Sequence, residues 1–250
     1  MKIILFFHVE KNGGSSVIST LNHNGFGTFF YGTHHCFRGL PWHGSVFGNA
    51  SWPSGSRACK RVSQLRNVEA HARVVVEFHS WSKAVFWHDF APRRAALDAH
   101  HRQKYGGYVR TLVVLRDPIA HQRSTYMMWP PLRGEKRHQE PVPYESWLQV
   151  VESGGLQTRL ITGSRNCNVT LAASRLNAFT DVQRLETLNL NSFCETPCPL
   201  RHVKPTYSAS AELVRRLKRD VATADPQVVA RAAACDQRLL DKMSGRLAST

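Results

Sequence analysis

Three short apolar runs, each bounded by polar turn residues, constrain the fold of this chain more than any other feature. They cover residues 3–9, 73–78 and 109–115, and a weaker run covers 179–185. Short continuous apolar runs are typical of strands that are buried on both faces of a parallel sheet. Helical patterns follow at residues 16–21 and 118–129. This alternation predicts an α/β domain, with a parallel sheet flanked by helices.

Length and composition fit one domain covering residues 1–250. A chain of 250 residues that is 42% hydrophobic can bury a full core. Residues 22–61 are rich in Gly, Ser, His and Trp without a period, and residues 130–143 are charged and bounded by proline. Both segments are predicted to be irregular insertions. The last third is predicted to be mostly helical, with Asp225 as an N-cap before Pro226.

The chain is strongly basic. Lys and Arg number 33 against 18 acidic residues, a formal net charge of +15, which favours a polyanionic partner such as nucleic acid, an acidic glycan or a membrane surface. The basic residues are dispersed and no aromatic RNA-binding signature occurs, so we expect no nucleic-acid partner. No apolar window approaches the roughly twenty residues of a membrane-spanning helix, and residues 1–7 are too short for a signal peptide.

Cysteines and glycosylation sequons give a weak indication of the compartment. The six cysteines form no C-x-x-C pair, and N-x-[ST] sequons occur at Asn49 and Asn168. An even cysteine count together with sequons favours an oxidising, secretory compartment.

The first run ends in a turn with the composition of an anion-binding loop. A strand that continues through lysine, two glycines and two serines into a helix can aim several backbone N–H groups at one anion. The predicted cradle consists of Lys11, Asn12, Gly13, Gly14, Ser15 and Ser16. The alternative is a plain glycine-rich β–α turn. Because Lys11 precedes both glycines, the Walker A pattern of nucleoside triphosphatases and kinases is absent.

A second anion-binding pattern follows the third run, in L-R-D-P-I-A-H-Q-R-S-T-Y. Asp117 is placed to cap a helix that Pro118 begins, which leaves Arg116 at the tip of the strand and Ser124 about two turns into the helix. The planar guanidinium suits a phosphate. The alternatives are a surface ion pair for Arg116 and an ordinary helical position for Ser124. Together the two patterns predict a ligand with two separated anionic groups.

With both motifs in place, the sequence resembles the sulfotransferases that use 3′-phosphoadenosine 5′-phosphosulfate (PAPS). The most similar branch is the Golgi carbohydrate branch that contains the heparan sulfate 2-O- and 6-O-sulfotransferases. H-V-E-K-N-G-G-S-S is similar to the family's h-P-K-T-G-G-T-S, with Glu10 at the proline position and Asn12 at the threonine position. The family's R-D-P-x-x-R-x-x-S is matched except that His121 replaces its second arginine. Residues 155–163 look like the family's Q-x-R-x-L-x-G helix.

The resemblance implies a single sulfotransferase domain with a P-loop-like sheet and with PAPS as co-substrate. The cradle would hold the 5′-phosphosulfate, and Arg116 and Ser124 the 3′-phosphate. Lys11 would stabilise charge on the sulfate and on the leaving oxygen; no metal is required. The resemblance also implies a glycoprotein of the Golgi lumen. The membrane anchor typical of the Golgi members is missing from this chain, and such an anchor would be its one link to a membrane.

Sulfuryl transfer to a hydroxyl also needs a proton acceptor. The second run closes in V-V-V-E-F-H-S, and strand alternation places Glu77 and His79 on one face. The resembled enzymes carry a catalytic His or Glu in this region, and we choose His79 because an imidazole is poised near neutral pH. Glu77 is the alternative base, or the group that orients His79.

The net charge favours an acidic polysaccharide, such as a glycosaminoglycan, as the acceptor. Ten basic and aromatic side chains could line its groove, although each taken alone is more often a solvated or packing residue. They are Arg38, Lys60, Arg61, Lys83, Arg93, Arg94, Trp42, Trp52, Trp81 and Trp87. Two alternatives stay open. One is a non-catalytic polyanion-binding protein on a degenerate sulfotransferase fold, and the other is a P-loop kinase.

Overall fold

The computed structural model describes residues 1–30, 36–38, 65–67, 71–79, 83, 86–128, 142–151, 155–203 and 211–247. The strands in these ranges are β1 Lys2–Phe7, β2 Gly27–Phe30, β3 Cys36–Arg38, β4 Leu65–Asn67, β5 Arg73–Phe78, β6 Tyr108–Leu115 and β7 Asp181–Arg184. The α-helices there are α1 Gly14–His23, α2 Arg94–Tyr105, α3 Pro118–Met128, α4 Tyr144–Val151, α5 Leu156–Thr162, α6 Val169–Asn177, α7 Ala211–Thr223 and α8 Pro226–Leu247. Short π- and 3₁₀-helical turns at Phe86–Phe90 and Ala91–Arg93 lead into α2, and a 3₁₀ turn at Leu185–Thr187 follows β7.

The main sheet has five strands in the order β2-β5-β1-β6-β7, and every neighbouring pair is parallel. The predicted α/β domain with a parallel sheet is therefore confirmed. The strands β1, β5 and β6 coincide with the three apolar runs to within two residues at each end, and β7 lies within the weaker fourth run. The strands β3 and β4 pair with each other in a separate two-stranded sheet.

Both faces of the sheet are buried, which explains why its strands read as continuous apolar runs. On β1, Ile3, Leu5 and Phe7 pack on one side, in a core shared with helices α2, α6 and α8. The alternate residues Ile4 and Phe6 pack on the other side, against α1 and the segment that follows β7. At about 25 cal/mol per Å² of buried apolar surface, this two-sided core supplies most of the drive to fold.

The predicted boundary of the first insertion is wrong at its N-terminal end. Residues 27–30 lie inside the predicted irregular segment 22–61, yet they form β2, which pairs in parallel with β5 at the edge of the sheet. The strand forms because Phe29, and Phe26 just before it, are buried. It was missed because a run of four residues beside glycines is too short to show a hydrophobic period. The strand β3 also falls in this segment. Of the second insertion, residues 130–141 lie outside the described residues.

The C-terminal helices follow the prediction. Helix α8 begins at Pro226, and Asp225 Oδ1 accepts the backbone N–H of Gln227 at 2.8 Å. Its first turns join α3, α4 and α7 in a third apolar cluster, which includes Tyr126 and Leu217. Although α8 is 22 residues long, no helix within the described ranges is long and apolar enough to cross a membrane.

Two disulfides lie in the described part of the chain. Cys167, just before α6, is bonded to Cys235 in α8, and Cys194 is bonded to Cys198 in the segment after β7. The sequence did not reveal this pairing. The first bond spans 68 residues and the second spans 4.

We expect the long-range disulfide to contribute more stability than the local one. In the chain-entropy model, closing loops of these lengths is worth about 4 and about 2 kcal/mol. The variant with Cys167→Ser and Cys235→Ser should therefore lose about twice as much free energy of unfolding as the matched variant with Cys194→Ser and Cys198→Ser. Urea denaturation under non-reducing conditions measures both losses. Equal losses would contradict the loop-length argument.

Candidate functional site

The loop between β1 and α1 is a tight turn that contains two left-handed residues. Lys11 and Gly13 both adopt left-handed conformations, with φ of 66° and 77°, and the Asn12 N–H donates to the Val9 carbonyl at 3.2 Å. This turn leads directly into Gly14, the first residue of α1. No side chain caps this helix within the described residues. Its first-turn N–H groups are therefore directed at the space beyond the strand.

The two serines of the predicted cradle lie in the first turn of α1. Ser15 is exposed. Ser16 is buried, and its Oγ accepts the backbone N–H of Val203 at 3.2 Å. One turn further on, Thr20 Oγ1 accepts the N–H of Arg201 at 2.8 Å. The hydroxyl of Ser16 therefore binds the segment around Val203 to α1. Of Ser16, the backbone N–H is the group that lies in the first turn of the helix.

The second predicted motif meets the first at the same edge of the sheet. Because β6 is the parallel neighbour of β1, Arg116 follows its strand beside the loop, and its Nη1 donates to the Lys11 carbonyl at 3.1 Å. Asp117 Oδ1 accepts the Ala120 N–H at 2.8 Å, which confirms the predicted cap of α3. Ser124 is half-buried on α3. The structure thus brings together the lysine and the arginine that the sequence singled out.

A buried glutamine, which the sequence analysis included only as part of a faint helix motif, joins these two motifs. Gln157 Oε1 accepts from Asn12 Nδ2 at 2.7 Å and from the Arg116 N–H at 2.9 Å. Its Nε2 donates to the Arg116 carbonyl at 2.8 Å. One amide therefore fixes the loop after β1 relative to the residue after β6.

The side chain of Asn12 points inward, although the residue was predicted to bind the anion. Its Nδ2 also donates to the Val114 carbonyl at 2.9 Å, and the residue is 1% exposed. Its side chain anchors the loop to β6. Any contribution to anion binding comes from its backbone.

Helix α5, which carries Gln157, is itself held by a buried carboxylate. Asp236 accepts the N–H groups of Gln157 at 3.0 Å and Thr158 at 2.8 Å, and the Thr158 hydroxyl at 2.8 Å. Burial raises the pKa of Asp236 despite these hydrogen bonds. Asp236 occupies the place of an N-terminal cap, supplied from α8 across the fold.

The two cations at the cradle are close enough to influence each other. Burial lowers the pKa of Lys11, and the neighbouring charge of Arg116 lowers it further. Like charges in a half-buried position favour an anion between them or beside them.

Three titratable side chains cluster where β1 and β5 end. Glu77 is 3% exposed and its Oε1 is hydrogen-bonded to His8 Nδ1. The His8 ring lies 4.9 Å from the ring of His79, centroid to centroid. Burial lowers the pKa of His79 and the charge of His8 lowers it further, so His79 is neutral near pH 7, as a proton acceptor must be.

His8 is not among the predicted site residues, although strand alternation gives a signal for it. The parallel register pairs Phe6 with Glu77, so both lie on the α1 side of the sheet, and strand alternation places His8 on that side too. The register could not be predicted from the sequence, and so the partner of Glu77 was unknown.

Lys83, one of the residues that could line an acceptor groove, is instead buried in an ion pair. It is 7% exposed and forms an ion pair with Glu10, the residue at the family's proline position. Burial alone would raise the pKa of Glu10, but Lys83, a backbone hydrogen bond and His79 together lower the pKa below its ordinary value. A buried carboxylate retains its charge only with such a partner.

Trp87, another of these residues, also packs against its neighbours. It lies against Phe7 at 5.2 Å between ring centroids, and the Arg175 guanidinium lies 4.9 Å from its ring. Arg93 is half-buried and Arg94 begins α2. The other tryptophans of the predicted groove, with Lys60 and Arg61, lie outside the described residues.

His121 supports the loop from α3. Where the resembled family has a second arginine, this histidine is 1% exposed, and its Nε2 donates to the Glu10 carbonyl at 2.7 Å. Burial lowers its pKa to about 4. Among the described residues, no group of three or more His, Cys, Asp or Glu side chains is arranged to hold a metal ion.

We expect Gln157→Leu to destabilise the protein and to disconnect the two motifs. The substitution removes three hydrogen bonds and leaves the buried amide of Asn12 short of an acceptor, so the free energy of unfolding should fall by about 3 kcal/mol. Gln183→Leu is the control, because Gln183 is equally buried but accepts one hydrogen bond, from the Asn189 N–H at 2.9 Å. Urea denaturation compares the two. A loss no greater than that of the control would contradict the bridging role.

We expect His121 to make the protein less stable at acidic pH. The unfolded chain takes up a proton near pH 6.5, whereas folded His121 stays neutral down to its pKa of about 4. The free energy of unfolding should therefore fall by up to about 3 kcal/mol between these pH values. His121→Gln can donate to the Glu10 carbonyl but does not titrate, so its stability should fall less over this window. Parallel pH dependences of wild type and variant in urea denaturation would refute this assignment.

Comparison of the chain with protein-family models, with curated proteins and with solved structures found no match. What the chain can do must therefore be inferred from the chemistry of its own residues.

Proposed function

We propose that the protein is a sulfotransferase that moves the sulfuryl group of PAPS to a hydroxyl of a carbohydrate. The observation that carries the proposal is the hydrogen bond from Arg116 Nη1 to the Lys11 carbonyl at 3.1 Å. It puts a guanidinium and a lysine-bearing loop at one edge of a parallel sheet, where ligands of such folds bind. A donor with a 5′-phosphosulfate and a 3′-phosphate has two anionic groups for two such sites.

In this proposal the loop and Arg116 divide the anionic groups of the donor. The N–H groups at the start of α1 and the Lys11 ammonium hold the 5′-phosphosulfate, and Arg116 with Ser124 holds the 3′-phosphate. Lys11 already has a lowered pKa from burial and from Arg116, which an anion would offset. The lysine can therefore stabilise charge that develops on the leaving oxygen.

The remaining requirement is proton removal from the acceptor. The new S–O bond forms from the acceptor hydroxyl while the S–O bond to the leaving phosphate breaks, and the hydroxyl proton passes to His79. Burial and the charge of His8 lower the pKa of His79, so the ring is neutral at pH 7 and can accept a proton. Glu77 remains the alternative base, although its carboxylate is hydrogen-bonded to His8.

The net charge of the chain supports the proposed class of acceptor, and its disulfides support the proposed compartment. The net charge of +15 supports an acidic polysaccharide as acceptor, since a neutral alcohol would gain nothing from it. The disulfides Cys167–Cys235 and Cys194–Cys198 support an oxidising compartment, consistent with the Golgi lumen.

We expect 3′-phosphoadenosine 5′-phosphate to stabilise the wild type in a thermal-shift titration. A ligand at a hundred times its Kd adds about 2.7 kcal/mol, which for a chain of this size is roughly 5–10 °C in Tm. Arg116→Ala should abolish the shift. Arg102→Ala is the control and should retain it, because Arg102 is exposed on α2 and paired with Asp98 at 2.8 Å.

The same titration separates the alternatives. Stabilisation by ATP with magnesium, but not by the 3′-phosphorylated nucleotide, would support a kinase. Stabilisation by an acidic glycan alone would support a polyanion-binding protein on the same fold. Either result would overturn the sulfotransferase proposal, whereas PAPS-dependent sulfation of a glycan would complete it.

A further inference from the structure

A triplet at the start of α6 has no part in the proposed function. Asn168, Val169 and Thr170 form one of the two N-x-[ST] triplets of the chain. Triplets of this kind accept N-linked oligosaccharides on their asparagine in secreted proteins. Because the sugar is bulky and polar, a folded protein accommodates it only where the asparagine lies at the surface. The other triplet begins at Asn49, which lies outside the described residues.

The fold exposes both polar side chains of the Asn168 triplet. Asn168 and Thr170 are exposed, whereas Val169 between them packs against the core that α6 shares with β1. Further along the helix, Ala172 and Leu176 are buried in the same core. The apolar side of α6 therefore holds the helix in place, and the two residues that define the triplet face solvent.

The amide of Asn168 uses one of its two ends. Its Oδ1 accepts the Leu171 N–H at 2.9 Å and so caps α6. Its Nδ2, the atom to which an N-linked sugar is attached, has no hydrogen-bond partner within the part of the chain that the structure describes. A sugar on Nδ2 leaves Oδ1 as an acceptor. The modification is therefore compatible with the cap, and the folded helix has room for it.

The neighbours of the triplet fit a glycosylated surface. Cys167, directly before it, is bonded to Cys235, and such a bond persists in the oxidising secretory compartment, where N-glycosylation takes place. Leu171 is 36% exposed, one of three large apolar side chains with this much exposure among the described residues. Since its N–H binds Asn168 Oδ1, an oligosaccharide on Nδ2 begins beside this side chain and can cover it.

We propose that Asn168 is an acceptor site for an N-linked oligosaccharide that is transferred from a lipid diphosphate carrier. In this step Nδ2 forms a bond to C1 of the first sugar, and the C1–O bond to the diphosphate breaks. The amide gives up one proton to the transferase, and the lipid diphosphate leaves. No oxidation or reduction is involved. The inference goes beyond the proposed function and holds whichever ligand the loop after β1 binds.

The test uses the full chain, directed into the secretory pathway of eukaryotic cells by a cleavable signal sequence. Asn49→Gln serves as the background, so that the triplet at Asn168 is the one that remains. We expect this protein to migrate as a larger species in gel electrophoresis. Peptide N-glycosidase F releases the oligosaccharide and converts the modified asparagine to aspartate. Digestion should therefore abolish the shift, and mass spectrometry should find the conversion at position 168.

Three substitutions in the same background separate use of the triplet from an effect on the fold. Thr170→Ala destroys the triplet but keeps Asn168 and its cap, so the shift should be lost. Asn168→Asp should also lose the shift, although its carboxylate can still accept the Leu171 N–H. Asn166→Gln is the matched control, because Asn166 is exposed two positions earlier and begins no triplet. It should retain the full shift.

The outcomes are decisive and do not depend on the ligand of the candidate site. An Asn49→Gln protein that is secreted without an oligosaccharide would overturn the proposal, as would a glycosidase-sensitive shift that survives Thr170→Ala. Absence of binding by 3′-phosphoadenosine 5′-phosphate would remove the proposed function and leave this inference standing. Nucleotide binding by a protein that is never glycosylated at Asn168 would do the reverse.

Discussion

The geometry of the candidate site depends on the hydrogen bonds of one buried amide. Gln157 accepts from Asn12 and from the backbone of Arg116, which lie in loops after two neighbouring strands. It is held in turn by Asp236, which caps the helix that carries it. Asp236 adjoins Cys235, whose disulfide to Cys167 fixes α8 to the segment before α6. A continuous set of contacts therefore runs from a covalent cross-link to the loop after β1.

The charged residues under the loop are arranged in pairs that position the backbone. Lys83 neutralises Glu10, while His121 holds the Glu10 carbonyl. Burying an ion pair costs desolvation that its attraction repays only in part, so such pairs are weak evidence for stability. Here the ion pair and the hydrogen bond restrain the position of Glu10, at the start of the loop. Glu10 stands where the resembled family has a proline, which limits φ through its ring, and two directed interactions restrain this loop instead.

The strands could be predicted because burial on both faces leaves a signal that needs no knowledge of partners. The placement of Lys11 and Arg116 at one edge of the sheet could be predicted for a related reason, since each residue follows such a strand. The hydrogen bond from Asn12 to Gln157 could not be predicted, because it joins residues that are 145 positions apart in the sequence. The ion pair between Lys83 and Glu10 was not predictable for the same reason. A lysine in a polar segment is predicted to be exposed, and only the fold shows that Glu10 lies beside it. The pairing of β2 with β5 at the edge of the sheet likewise could not be predicted, because four residues are too few to indicate a strand partner.

The loop after β1 has two features that oppose folding. Lys11 is a non-glycine residue with a φ of 66°, a conformation that is strained by about 1–3 kcal/mol. Its ammonium is half-buried close to the Arg116 guanidinium, and both burial and this like charge oppose its ionisation. Neither feature helps the chain to fold. A bound anion would relieve the repulsion and leave the strain unchanged, so it would recover part of this free energy as affinity. The hydrogen bonds of Gln157 to the Asn12 side chain and to the Arg116 backbone fix the segments that carry these two cations, so the fold itself keeps the like charges near each other.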